Sequence, residues 1–136
     1  MADRSCIETV LVVEDEVVVR RLVRGILESR GYTVLEASRG SEALALCEGH
    51  RGPIHLMLTD VVMPQMSGPE LADHWLSRRP QTKILYMSAY TNNAIRQNGI
   101  LDVKREFLAK PFTAQALECK VREVLDGSSS PLAEVA

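Results

Sequence analysis

Thr9-Val10-Leu11-Val12-Val13-Glu14-Asp15-Glu16 is an apolar run of strand length that stops on three acids. Its apolar residues are consecutive rather than alternating, as in a strand covered by helices on both faces of a parallel sheet. The acids then stand at the carboxyl end of that strand, where open parallel sheets build their binding crevice. Four further runs repeat the pattern: Tyr32-Thr33-Val34-Leu35, Ile54-His55-Leu56-Met57-Leu58-Thr59, Lys83-Ile84-Leu85-Tyr86-Met87 and Glu106-Phe107-Leu108-Ala109. Strands alternating with helical periodicity predict an α/β fold with a doubly wound, five-stranded parallel sheet and five helices.

In the first helix Val19, Leu22, Val23, Ile26 and Leu27 recur at helical spacing, and Gly31 stands where the helix should stop. The second helix runs from Gly40 to Glu48 with Ala43, Leu44 and Cys47 inward, ending at His50-Arg51-Gly52-Pro53. The third follows Pro64-Gln65-Met66-Ser67-Gly68, takes Pro69 in its first turn, buries Leu71 and Trp75, and stops before Pro80. A fourth begins near Thr91 and fades by Asn98-Gly99, followed by a loop to Arg105. The last is capped by Thr113, turns Leu117, Val121, Val124 and Leu125 inward, and leaves Cys119 outside. Residues 8–126 form the expected domain, with flexible ends at 1–7 and 127–136.

Composition narrows the function. A length of 136 residues suits one domain, and 46% apolar residues suffice for a core. A net charge of -2 with dispersed Lys and Arg gives no footprint for nucleic acid or for a membrane surface. No apolar run approaches the roughly 20 residues that span a bilayer, and the N-terminus lacks a signal-peptide core, so the chain is expected in the cytoplasm. Cys6, Cys47 and Cys119 are expected to stay as reduced thiols. Neither they nor His50, His55 and His74 have the spacing of a zinc site.

The polar chemistry collects at strand ends: Glu14-Asp15-Glu16 after the first, Asp60 after the third, Ser88 after the fourth, and Lys110-Pro111 after the fifth. A strand order 2-1-3-4-5 places Asp15 and Asp60 side by side. Carboxylates gathered in this way repel one another unless a hard cation sits among them, and Mg2+, with its preference for oxygen ligands and phosphoryl groups, is the natural candidate. An aspartate at such a site can attack phosphorus and form an acyl phosphate. Ser88 can donate to a phosphoryl oxygen, and Lys110 can offset the added charge.

The set V-L-V-V-E-D-E, L-T-D-V-V-M-P-Q-M-S-G, I-L-Y-M-S-A-Y and F-L-A-K-P-F resembles the receiver domain of two-component response regulators, a flavodoxin-like fold, from Glu8 to Asp126. The resemblance implies that Asp60 is the phospho-acceptor, Glu14 and Asp15 the acidic pair, Ser88 the switch hydroxyl and Lys110 the active-site lysine. It implies Mg2+ bound by Asp15, Asp60 and the Val62 carbonyl, with Glu14 acting through water, and a cis Lys110-Pro111 bond. Phe107 stands where the family often has Tyr, so the aromatic part of the switch lacks a hydroxyl. The intervals Asp15 to Asp60, Asp60 to Ser88 and Ser88 to Lys110, of 45, 28 and 22 positions, accommodate the helix and strand between each pair.

The expected activity is transfer of a phosphoryl group to Asp60 from a phosphohistidine on a histidine kinase or phosphotransfer domain, followed by autodephosphorylation. Phosphate at Asp60 would draw in Ser88, repack Phe107 and change the face made by the fourth helix, fifth strand and last helix. Val62 and Tyr90, each two residues past a site residue, position water poorly, so a phosphoryl lifetime of minutes or longer is expected. Two other readings are an interaction module of this fold that is never phosphorylated and an aspartyl-phosphate phosphatase of the haloacid-dehalogenase kind. The intact site speaks against the first, and the absence of D-x-D on the first strand against the second. No effector is expected in the ten residues after Asp126. Its motifs are similar to those of C-terminal receivers of hybrid sensor histidine kinases, a single-domain regulator being the other placement, and a homodimer stays open.

Overall fold

A computed structural model of the chain describes residues 8–88 and 106–127. Its strands are β1 (Thr9–Val13), β2 (Thr33–Ala37), β3 (Leu56–Asp60), β4 (Lys83–Ser88) and β5 (Glu106–Ala109). The helices among the described residues are α1 (Val17–Ser29), α2 (Gly40–Gly49), α3 (Gly68–Leu76) and α4 (Ala114–Asp126). All strand pairs are parallel and the order is β2-β1-β3-β4-β5. Five helices were expected. The one assigned from Thr91 to Asn98-Gly99, the loop to Arg105, Tyr90 and Cys6 lie outside the described residues.

Period-2 alternation along the strands divides the core into two layers. On one face Leu11, Val13, Met57 and Tyr86 pack with Ala43, Cys47, Leu71, Ala72 and Trp75 from α2 and α3. On the other, Val10, Val12, Leu56, Leu58, Leu85 and Met87 pack with Val23 and Leu27 of α1 and Leu117, Val121 and Val124 of α4. Both faces are thus covered, which is why the runs read as continuously apolar.

Helix ends follow the sequence signals. Ser67 caps α3 in a reciprocal box with Glu70, and Pro69 occupies the first turn. Thr113 accepts from the Ala116 N–H at 3.0 Å. Past the end of α1, Gly31 adopts φ 93°, a left-handed conformation open to glycine at no steric cost. The second strand starts at Thr33 rather than Tyr32 and runs on to Ala37, while the third starts at Leu56 rather than Ile54. Leu22 departs from expectation. It is 56% exposed, because the buried arc of α1 is centred on Val23 and Leu27 and Leu22 falls outside it. Cys47 is buried and Cys119 exposed, as expected. His55 is structural, its Nδ1 accepting the Thr9 N–H at 2.9 Å.

Candidate functional site

At the carboxyl edge of the sheet, β1 delivers Glu14 and Asp15, β3 ends on Asp60, β4 ends on Ser88, and Lys110 follows β5. Glu14 and Asp60 leave neighbouring strands, since β1 and β3 pair directly, and the cluster therefore follows from topology. One carboxylate oxygen each from Glu14, Asp15 and Asp60 lies within 4.8 Å of the others. Asp15 is exposed, Asp60 half-buried, and Glu14 only 1% exposed.

A buried acid needs partners, and Glu14 has them at both oxygens. Oε1 accepts from Lys110 Nζ at 2.8 Å, and Oε2 accepts from the Glu16 N–H at 3.1 Å. Its backbone is fixed as well, by its N–H to the Ala37 carbonyl at 3.1 Å and by Arg20 Nη1 on its own carbonyl at 2.8 Å. Lys110 also stands 3.2 Å from Asp60 Oδ1, so one ammonium bridges two carboxylates. The Lys110-Pro111 peptide is cis, as the resemblance implied. The Lys110 N–H donates to the Ser88 carbonyl at 2.8 Å, joining the ends of β4 and β5.

These neighbours act on proton affinity. Burial first, and then the Glu14 charge, push the Asp60 carboxyl up to about 6, against the pull of Lys110. Burial tends to lower the Lys110 ammonium, but its hydrogen bond to Glu14 and the Asp60 and Glu14 charges outweigh it and raise the pKa. The cluster therefore keeps Lys110 charged and leaves Asp60 short of compensation.

The segment after Asp60 is shaped by close backbone approaches. The Val61 N–H donates to the Met87 carbonyl at 3.0 Å and the Gly68 N–H to the Val61 carbonyl at 2.8 Å. Gln65 adopts φ 74°. A Cβ on Gly68 would lie 2.3 Å from the Asp60 carbonyl oxygen, so only glycine fits there. Val62 lies in this loop with an exposed side chain. Phe107 stacks on Tyr86, ring centroids 5.5 Å apart and planes at 29°, and is half-buried.

The structure thus brings Glu14, Asp15, Asp60 and Lys110 together, puts Ser88 at the end of β4 with its carbonyl on the Lys110 N–H, and places Phe107 on β5. Two residues escaped the sequence reading. Gly68 was visible only as part of a helix start, although its position eight residues past a strand-end acid marks a tight return. Arg20 carried no signal in the apolar pattern of α1, and its reach back to the Glu14 carbonyl depends on the packing of that helix.

The donor set fits a hard divalent cation: three carboxylates, all oxygen, with no thiolate or imidazole.

The chain matches the family described as response regulator receiver domain over residues 10–122. It is 42% identical over 124 residues to sensor kinase CckA of Brucella abortus, covering 91% of this chain and 13% of that protein. To the transcriptional regulatory protein ResD of Bacillus subtilis it is 32% identical over 120 residues, covering 88% of this chain and 49% of that protein. Among solved structures it is similar to chemotaxis protein CheY4 of Vibrio cholerae, with a TM-score of 0.77 and 30% identity over 88% of this chain and 99% of that one. The receiver domain from hybrid histidine kinase CckA gives a TM-score of 0.73 and 33% identity over 86% of this chain and 98% of that one. The chain spans half or less of these two curated relatives and nearly all of the two solved chains.

Proposed function

The chain belongs to the response regulator receiver domain family, the receiver of two-component signalling, and on that premise we propose that Asp60 is its phospho-acceptor. The observation that carries this is the bridging of Glu14 and Asp60 by Lys110 at the strand ends, beside a third carboxylate, Asp15. With a pKa of about 6, Asp60 is mostly ionised at pH 7 and able to attack. An Asp60 Oδ–P bond forms, the P–N bond to a donor histidine breaks, and the leaving imidazole keeps the bonding pair. Ser88 donates to a phosphoryl oxygen and Lys110 offsets the charge that Asp60 has gained. Asp15, Asp60 and the Val62 carbonyl would hold Mg2+ directly, with Glu14 through water. Bound there, the ion supplies charge neutralisation for the carboxylates and phosphoryl oxygens.

The donor is a histidine kinase or phosphotransfer domain acting in the cytoplasm, and the domain occupies residues 8–126. The 42% identity to a sensor kinase supports a place as the receiver of a hybrid kinase, ahead of a single-domain regulator. Among the described residues no helix is long and apolar enough to cross a membrane. Repacking of Phe107 against Tyr86 carries the signal to the surface around β5 and α4.

The test is uptake of label from acetyl phosphate with Mg2+. Wild type should be labelled and Asp60→Asn should not; labelling of the variant would overturn the assignment. The acyl phosphate should last minutes or longer, and decay within seconds would refute that lifetime.

A further inference from the structure

Arg20 lies on the first turns of α1, yet its side chain folds back toward the site and is 15% exposed. Its Nη1 donates to the Glu14 carbonyl at 2.8 Å and its Nε to Glu36 Oε1 at 2.9 Å. The Arg20 backbone N–H donates to the Glu16 carbonyl at 3.0 Å. The side chain therefore holds the Glu14 end of Glu14-Asp15-Glu16, while the Glu16 end is held by the first backbone bond of the helix. Glu36, on β2, is in turn paired with Arg24 through its other oxygen, which ties the grip to the edge of the sheet. Asp15, the exposed middle residue, sits on the backbone between these two ends.

We propose that Arg20 is a positioning residue for the divalent-cation site, fixing the Glu14-Asp15-Glu16 backbone from Glu36 so that Asp15 and Glu14 face Asp60 before the ion arrives. This rests on the reading of Glu14, Asp15 and Asp60 as the Mg2+ site. A guanidinium suits the task because its planar fork reaches two acceptors at once, a carbonyl and a carboxylate, and stays charged. Groups that orient metal ligands without touching the metal affect its affinity by about tenfold or more.

Arg24 provides the internal control, since it shares Glu36 and makes no contact with Glu14 in this network. Calorimetric titration of the whole chain with Mg2+ alone should show Arg20→Met binding about tenfold more weakly than wild type. Arg24→Met should stay within about twofold. Arg20→Lys, which keeps a cation for Glu36 and lacks the fork, should fall between. Equal affinity in wild type and Arg20→Met overturns the proposal. So does an equal loss in both Met variants, because the effect would then come from helix-to-sheet packing. Should Arg20→Met fail to fold by circular dichroism, Arg20→Lys against Arg24→Met decides, and equal affinities overturn it. A wild type that binds no Mg2+ overturns the metal reading instead.

Discussion

Lys110 donates to Glu14 from the far side of the sheet edge, Nζ to Oε1 at 2.8 Å, across 96 positions of sequence. It is the cation that makes a 1% exposed carboxylate tolerable without metal. Removing it leaves a buried charge unpaired, which costs about 3–5 kcal/mol. It also removes the charge that competes with Mg2+ for the same oxygens. Lys110→Met should therefore destabilise the metal-free protein by several kcal/mol in urea titrations, bind Mg2+ about threefold to tenfold more tightly, and recover stability as Mg2+ is added. Weaker Mg2+ binding by the variant would contradict the competition.

Asp60 makes the opposite contribution. Its carboxyl titrates near 6 in the fold against an ordinary 3.8. Below the lower value both folded and unfolded chains hold the proton. Between about 4 and 6 the folded chain keeps a proton that the unfolded chain has shed, so stability falls as pH rises through that window and levels off above it. Asp60→Asn should flatten this slope in EDTA and raise stability at pH 7 by about 1–2 kcal/mol, the partial exposure of the group having been discounted. A variant less stable than wild type at pH 7 would show that the pair with Lys110 outweighs desolvation.

Gly68 sets the distance between the loop after β3 and the acceptor. A methyl there would meet the Asp60 carbonyl oxygen at 2.3 Å and the Tyr86 ring at 3.3 Å, so either α3 or the end of β3 must move. Gly68→Ala should cost about 1–3 kcal/mol, and acetyl phosphate should label it more slowly than wild type. Gly49, with open space around its position, serves as the control: Gly49→Ala should leave labelling unchanged.

The strands and the acids at their ends were legible because a doubly covered parallel sheet writes itself as consecutive apolar residues stopping on polar ones. Thr9–Val13 and Glu106–Ala109 were bounded from this alone. The start of β3 shifted because Ile54, buried at 3% but unpaired in the sheet, continued the apolar run. The order of the strands places Asp15 and Asp60 together, and spacing sufficed for that. Long-range contacts could not be read the same way. Arg20 on Glu14, Gly68 against Asp60 and Lys110 between two carboxylates depend on how α1, the β3 return and the β5 exit pack. Leu22 fails for a related reason: helical spacing marks a broad stripe, and only the crossing of α1 over the sheet decides which part of it is covered.

Leu22 outside the core has a use in the proposed transfer. Val17, Val18 and Leu22 on α1 and Val62 after Asp60 are exposed, Val18 by 74%, and Leu22 lines a groove with Val19, Lys110, Pro111 and Phe112. In the proposed transfer, this apolar rim would be the contact surface for a protein that must bring its histidine to Asp60, while a small phosphodonor would reach the acid without touching it. Because Val18 contributes nothing to the core, Val18→Glu should change stability by no more than about 0.5 kcal/mol. It should slow transfer from a phosphorylated histidine phosphotransfer domain by about tenfold or more, through weaker docking, as burying one new carboxylate at an interface costs over 1 kcal/mol. Labelling by acetyl phosphate should stay within about twofold of wild type. An equal loss with both donors would mean that Val18 acts on the chemistry at Asp60 and not on docking.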